Sequence, residues 1–201
     1  MNAINYKSYN EPEFDRKEIL RYAGCREANE TINSFLEECI DECKGTLCYK
    51  VCYSEYPISV NGESIDLGFA KVESKHLAKN LEGCERIVLF SATVGLAMDR
   101  LIARYSRISP AKAHMFQAMG AERVESLCDV FNDEITKKSN EEGCFTRPRF
   151  SPGYGDVPLS LQREIFAALD CERKLGITLN TSLLMSPSKS VTAIIGIGKK
   201  I

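Results

Sequence analysis

The stretch Arg147-Pro-Arg149-Phe-Ser151-Pro-Gly153-Tyr154 gathers residue types that can hold a small polar ligand. A guanidinium such as that of Arg149 pairs in a two-pronged way with a carboxylate. The Pro-Gly pair makes a turn, and glycine at 153 lets a ligand approach the backbone with no Cβ in the way. Tyr154 adds a ring to stack on and a hydroxyl donor. A surface arginine and a turn tyrosine give the same pattern without any ligand, so the motif alone leaves both readings open.

A second constellation is Cys39-x3-Cys43-x4-Cys48-x3-Cys52. The first pair lies one helical turn apart and the second on one face of a following strand. Four converging thiolates there would suit zinc or an iron–sulfur cluster. The competing reading is core packing, because buried cysteine behaves as a small hydrophobe. The chain has nine cysteines, an odd number, and an amino terminus with no apolar leader. Free thiols in a reducing, cytoplasmic setting are therefore expected rather than a disulfide framework. Only two histidines, His76 and His114, are present, which limits imidazole-based metal sites and triads. Gly196-Ile-Gly198-Lys-Lys has no following helix to aim N–H groups at a phosphate, so it reads as structural. No Gly-x-Gly-x-x-Gly follows a strand, and no catalytic residue is assigned.

These residues need elements to place them. A helix is expected over about 15–22 and a longer one over 27–44, with Ile32, Phe35, Leu36, Cys39 and Cys43 at helical spacing. Leu47 to Tyr53 alternates as a strand, and Asn61-Gly62 predicts a hairpin turn between 58–60 and 65–72. A short helix near 76–81, a buried strand from Arg86 and a helix to about Arg104 follow. Ser109-Pro110 opens the longest helix, with a core stripe through Phe116, Met119, Val124, Leu127, Phe131 and Ile135. A strand over 145–150, a helix over 161–169 and strands at 177–179 and 190–197 complete the order. Helices and strands mix without regular alternation, which predicts an α+β fold with a mixed, largely antiparallel twisted sheet flanked by helices. Residues 1–45 are expected to form a helical segment and 46–201 an α+β core, together one continuous domain.

With 44% hydrophobic and 27% charged residues, the 201-residue chain can bury a core. A net charge of −2 supplies no field for gathering nucleic acid or anionic membrane. No apolar run approaches membrane-spanning length.

Two blocks then stand out together. Arg149-Phe-Ser-Pro-Gly-Tyr154 is followed by Leu179-Asn-Thr-Ser182-Leu-Leu-Met185-Ser-Pro187-Ser-Lys-Ser190-Val191. The pair resembles the activation (reactivation) domain of cobalamin-dependent methionine synthase, which carries Arg-x-x-Pro-Gly-Tyr and, some thirty residues on, Leu-Thr-Glu-Ser-x-x-Met-x-Pro-x-x-Ser-Val. Ala118-x-Gly120-Ala-Glu-Arg-Val-Glu125 extends the likeness into the long helix. Arg21-Tyr-Ala-Gly24 and Ala92-Thr-Val-Gly95 are similar to shorter, free-standing members.

The resemblance implies S-adenosylmethionine as ligand, with cobalamin carried by a partner and not by this chain alone. That partner would be a methionine synthase or related corrinoid protein, served by a flavodoxin-type electron donor, with the chain a component of a methyltransferase system. Arg149 would hold the methionine carboxylate, Ser151 and Gly153 would offer backbone contacts, Tyr154 would lie beside them, and Glu125 would face the cationic end. Departures also stand in the sequence. Gly155-Asp-Val-Pro158 replaces Pro-Ala-Cys-Pro-Asp, Thr181 replaces glutamate, and a later ligand-contacting tyrosine has no match before Ile201. The alternative expectation is a docking protein for a corrinoid methyltransferase that has lost the ligand.

Overall fold

The computed structural model of the chain describes residues 3–25 and 27–200. Strand β1 (Asn5–Tyr9) leads into α1 (Arg16–Tyr22) and α2 (Glu30–Cys43). Then come β2 (Tyr49–Pro57) and a small sheet of β3 (Ser59–Asn61), β4 (Ser64–Asp66) and β5 (Lys71–Glu73). Helix α3 (Lys75–Asn80), β6 (Arg86–Thr93), α4 (Ala97–Tyr105) and the long α5 (Pro110–Glu141) follow. The last third holds β7 (Cys144–Thr146), a 3-10 turn at Leu159–Leu161, α6 (Gln162–Leu169) and α7 (Cys171–Leu175). The chain then forms a two-stranded pair, β8 (Thr178–Leu179) with β9 (Met185–Ser186), and β10 (Ser190–Lys199).

Local sequence explains where the helices start. The side chains of Asp15, Asn29, Ser74 and Ser109 accept the N–H groups of Glu18, Ile32, Leu77 and Lys112. Each such cap contributes about 1 kcal/mol. Pro110 sits in the first turn of α5, where its missing donor costs nothing. The predicted hairpin forms, but shifted by one residue. Asn61 still pairs in β3 with Ser64, so Gly62 and Glu63 make the turn. Gly62 has φ +64° and Glu63 is not in the positive-φ region, the pattern of a type II′ turn rather than the type I′ expected from Asn-Gly.

The main sheet has the order β1-β2-β6-β10-β7, and every strand pairing among the described residues is antiparallel. Alternation along the strands sends side chains to two separate cores. Val51, Val88, Phe90 and Ile195 pack with Val124, Leu127 and Phe131 of α5. Cys52, Ile87, Leu89 and Ile194 pack instead with α3, α6 and α7 through Leu77, Ile165, Leu169 and Cys171. A third cluster joins α1, α2 and α4 to the first half of α5 around Ile19, Leu36, Met98 and Phe116.

Beside that third cluster lies a buried ion pair. Arg123 is 0% exposed and donates to the carboxylate of Glu122 and, at 2.6 Å each, to the carbonyls of Pro12 and Glu13. Its guanidinium also sits 3.9 Å from the Phe14 ring centre. Burial is the largest single influence and disfavours the Arg123 charge, but the hydrogen bonds to Glu122, its negative charge and Tyr49 together hold the group above its ordinary value.

Strand β7 is shorter than the 145–150 segment expected, because Pro148 has no N–H to give a ladder. Pairing resumes around it. Arg147 N–H donates to Gly196 at 2.8 Å and Phe150 N–H to Ile194 at 2.9 Å. The terminal glycines belong to β10, and a Cβ at Gly198 would lie 2.2 Å from the Gly83 carbonyl oxygen and 2.5 Å from the Phe145 ring. No described helix is long and apolar enough to cross a membrane.

Candidate functional site

Helix α5 has two stripes. Flanking its core residues, Glu125, Asp129, Asn132, Asp133 and Thr136 recur at the three- and four-residue intervals that share a helix face. The segment from Thr146 to Tyr154 runs past this polar stripe, and a cleft of about 760 Å³ lies between them, with Val191 of β10 in its wall. The hydroxyls of Thr136 and Thr146, 2.8 Å apart, link the two sides.

Arg149 is the centre of charge. Its Nη1 lies 2.5 Å from Asp129 Oδ1 and its Nη2 lies 2.7 Å from Glu125 Oε2. The side chain is 25% exposed. Burial disfavours its charge, but the hydrogen bonds it donates to Asp129 and Glu125, with the charges beside it, together prevail and hold the guanidinium above its ordinary value. Asn132, in the same wall, has a buried Oδ1 with no hydrogen-bond partner among the described residues.

The turn that follows is tightly closed. Tyr154 N–H donates to the Ser151 carbonyl at 3.1 Å, and Gly153 N–H donates to the Val157 carbonyl at 2.9 Å. Gly153 has φ +84°, which a side chain would resist. Tyr154 is 72% exposed and meets the Phe150 ring edge-on at 5.7 Å. Asp156 then ties the loop to the start of α3. It accepts the Lys75 N–H at 2.8 Å and the Ser74 hydroxyl, and lies 3.5 Å from His76 Nδ1.

Of the residues singled out in the sequence, Glu125, Arg149, Ser151 and Tyr154 all line one cleft. Glu125 and Arg149 contact each other rather than standing at opposite ends. Gly153 stands outside the lining. Its N–H is already committed to the Val157 carbonyl at 2.9 Å. Asp129, which pairs with Arg149 from outside the lining, and the lining residues Asn132 and Asp133 were not anticipated, while Arg147 of the ligand-holding stretch also lines the cleft. The signal for the first three is the polar stripe on α5, which is visible in the sequence once the helix is drawn.

The four-cysteine reading is corrected. Cys39 and Cys43 are buried on α2 in the cluster against α5, whereas Cys52 is buried on the other side of the sheet beside Cys171. Cys48 precedes β2 and is exposed. Consecutive elements feed different layers, so their thiols do not converge. No metal-binding grouping of His, Cys, Asp or Glu occurs among the described residues. Burial pushes the Cys39 thiol up to about 11 and that of Cys43 to about 12, which keeps both protonated at neutral pH.

No protein family matches the chain by sequence, and no curated protein does. Among solved structures, it is similar to a crystal structure of the MetH reactivation domain bound to AdoHcy. The TM-score is 0.73 at 13% identity, over 97% of this chain and 78% of that one. The chain has the reactivation-domain fold that the Arg149–Tyr154 and Leu179–Val191 blocks led us to expect.

Proposed function

We propose that this chain binds S-adenosylmethionine in the α5 cleft and acts in trans, as a methyl-donor module for a cobalamin-carrying methyltransferase. The observation that carries the reading is a half-buried arginine flanked by carboxylates in a cleft of small-molecule size, on the fold of a domain crystallised with AdoHcy. The residues fit the ligand's charges. Arg149 takes the amino-acid carboxylate, and Glu125 faces the ammonium or the sulfonium. The orphan acceptor of Asn132 accepts a ligand N–H or O–H, removing the cost of leaving it unpaired. Tyr154, exposed at the rim, covers an apolar part of the ligand. The corrinoid on the partner supplies the metal that accepts the methyl group. This chain contributes positioning, not bond chemistry. We further propose a cobalamin-binding partner in the cytoplasm and a flavodoxin-type reductant.

The second reading, a docking protein without ligand, is favoured by one observation: Arg149 already has two carboxylate partners. Isothermal titration with S-adenosylmethionine separates the two. Saturable binding that Arg149→Ala weakens by about 10- to 100-fold supports the methyl-donor reading. Absence of binding, both alone and with a cobalamin-loaded methyltransferase present, sinks it.

A further inference from the structure

We infer that Asp129 holds, in the ligand-free protein, the place on Arg149 that a ligand carboxylate takes. It thereby sets how strongly the cleft prefers ligands that carry a carboxylate. The inference rests on the methyl-donor reading of the same site.

The two carboxylates on Arg149 are not equivalent. Asp129 binds Nη1 and its side chain is 65% exposed, while Glu125 binds Nη2 and is the more sheltered of the two. They stand four residues apart on α5, so one helix face presents both to one guanidinium. The cleft wall carries Glu125 and Asp133 against Arg147 and Arg149, and Asp129, paired with Arg149, adds a third anion. An incoming carboxylate is repelled unless one of these anions yields. Asp129 yields at least cost, because an exposed carboxylate regains most of its hydration on leaving its partner. An exposed ion pair is worth little on its own, so the competition is weak enough to be reversed by a ligand and strong enough to be measured.

The test compares S-adenosylmethionine with its decarboxylated analogue, which keeps the sulfonium and the amine but lacks the carboxylate. In Asp129→Asn the ratio of the two affinities shifts toward S-adenosylmethionine by about two- to fivefold. Because both ligands carry the amine, the ratio isolates the carboxylate and is insensitive to a general loss of fold. Asp133→Asn, which removes a cleft charge that is not a partner of Arg149, shifts the ratio in the same direction but by less than Asp129→Asn. A ratio that stays constant or falls in Asp129→Asn overturns the inference alone, as does an equal rise in Asp133→Asn. Failure of the unaltered protein to bind either ligand overturns the methyl-donor reading, and the inference with it.

Discussion

The carboxylate of Asp156 accepts the backbone N–H of Lys75 at 2.8 Å, joining the loop that carries Tyr154 to the first turn of α3. The same carboxylate accepts the hydroxyl of Ser74, which itself caps Leu77. A loop of the candidate site is therefore held by a helix eighty residues earlier in the chain. Anions are favoured at a helix start by its free N–H groups and dipole.

That contact makes part of the stability depend on pH. The Ser74 hydroxyl, followed by the N–H groups of Lys75 and His76, holds the Asp156 carboxyl below its ordinary value of 3.8. A carboxylate whose folded value is depressed contributes fully above the ordinary value, and the contribution is lost as pH falls through the folded one. Asp156→Asn should melt below the unaltered protein at pH 7, with the gap closing as the pH falls below 3.8 and through the depressed folded value. Thermal melts across that range check it, and a gap of constant size at every pH would contradict it.

The Glu122–Arg123 pair should be the costliest polar contact to break. Removing Arg123 leaves a buried carboxylate without its cation and the Pro12 and Glu13 carbonyls without donors. Arg123→Met is expected to lose about 3–5 kcal/mol, and the double change Glu122→Gln with Arg123→Met to recover a part of that. Urea unfolding measures both. A loss under about 1 kcal/mol in the single variant would place the pair among ordinary surface contacts.

Gly198→Ala tests the packing reading of the glycine-rich tail. The new Cβ would meet the backbone oxygen of Gly83 and the Phe145 ring well inside contact distance, and a backbone atom cannot swing aside. Overpacking of this kind costs about 1–3 kcal/mol. The expected readout is a lower midpoint in urea, with β7 amides exchanging faster because β10 is the sheet partner of β7.

Much of this was legible in the sequence, and for identifiable reasons. Ser109-Pro110 marked the start of α5 because capping and the missing proline donor are local effects. Arg149 to Tyr154 announced a turn for the same reason. Strand β1 was not legible. Asn5-Tyr-Lys-Ser-Tyr9 carries little apolar signal because it forms the sheet edge and buries little of itself. The cysteine quartet left two readings open because spacing along the chain says nothing of which layer each element joins. The Arg149–Asp129 contact was out of reach for a related reason. The stripe on α5 is periodic and readable, but what faces it depends on how β7 and the segment after it cross the helix.

Strand β10 stands between β6 and β7 and also bridges to Phe150 through Ile194. It is the only sheet neighbour that β7 has among the described residues. During synthesis, a chain that has emerged through Tyr154 already holds both Glu125 and Arg149 but lacks β10, the strand that pairs with β7 and bridges to Phe150. The framework behind the cleft is thus complete only once β10 has been translated and has paired with both β6 and β7.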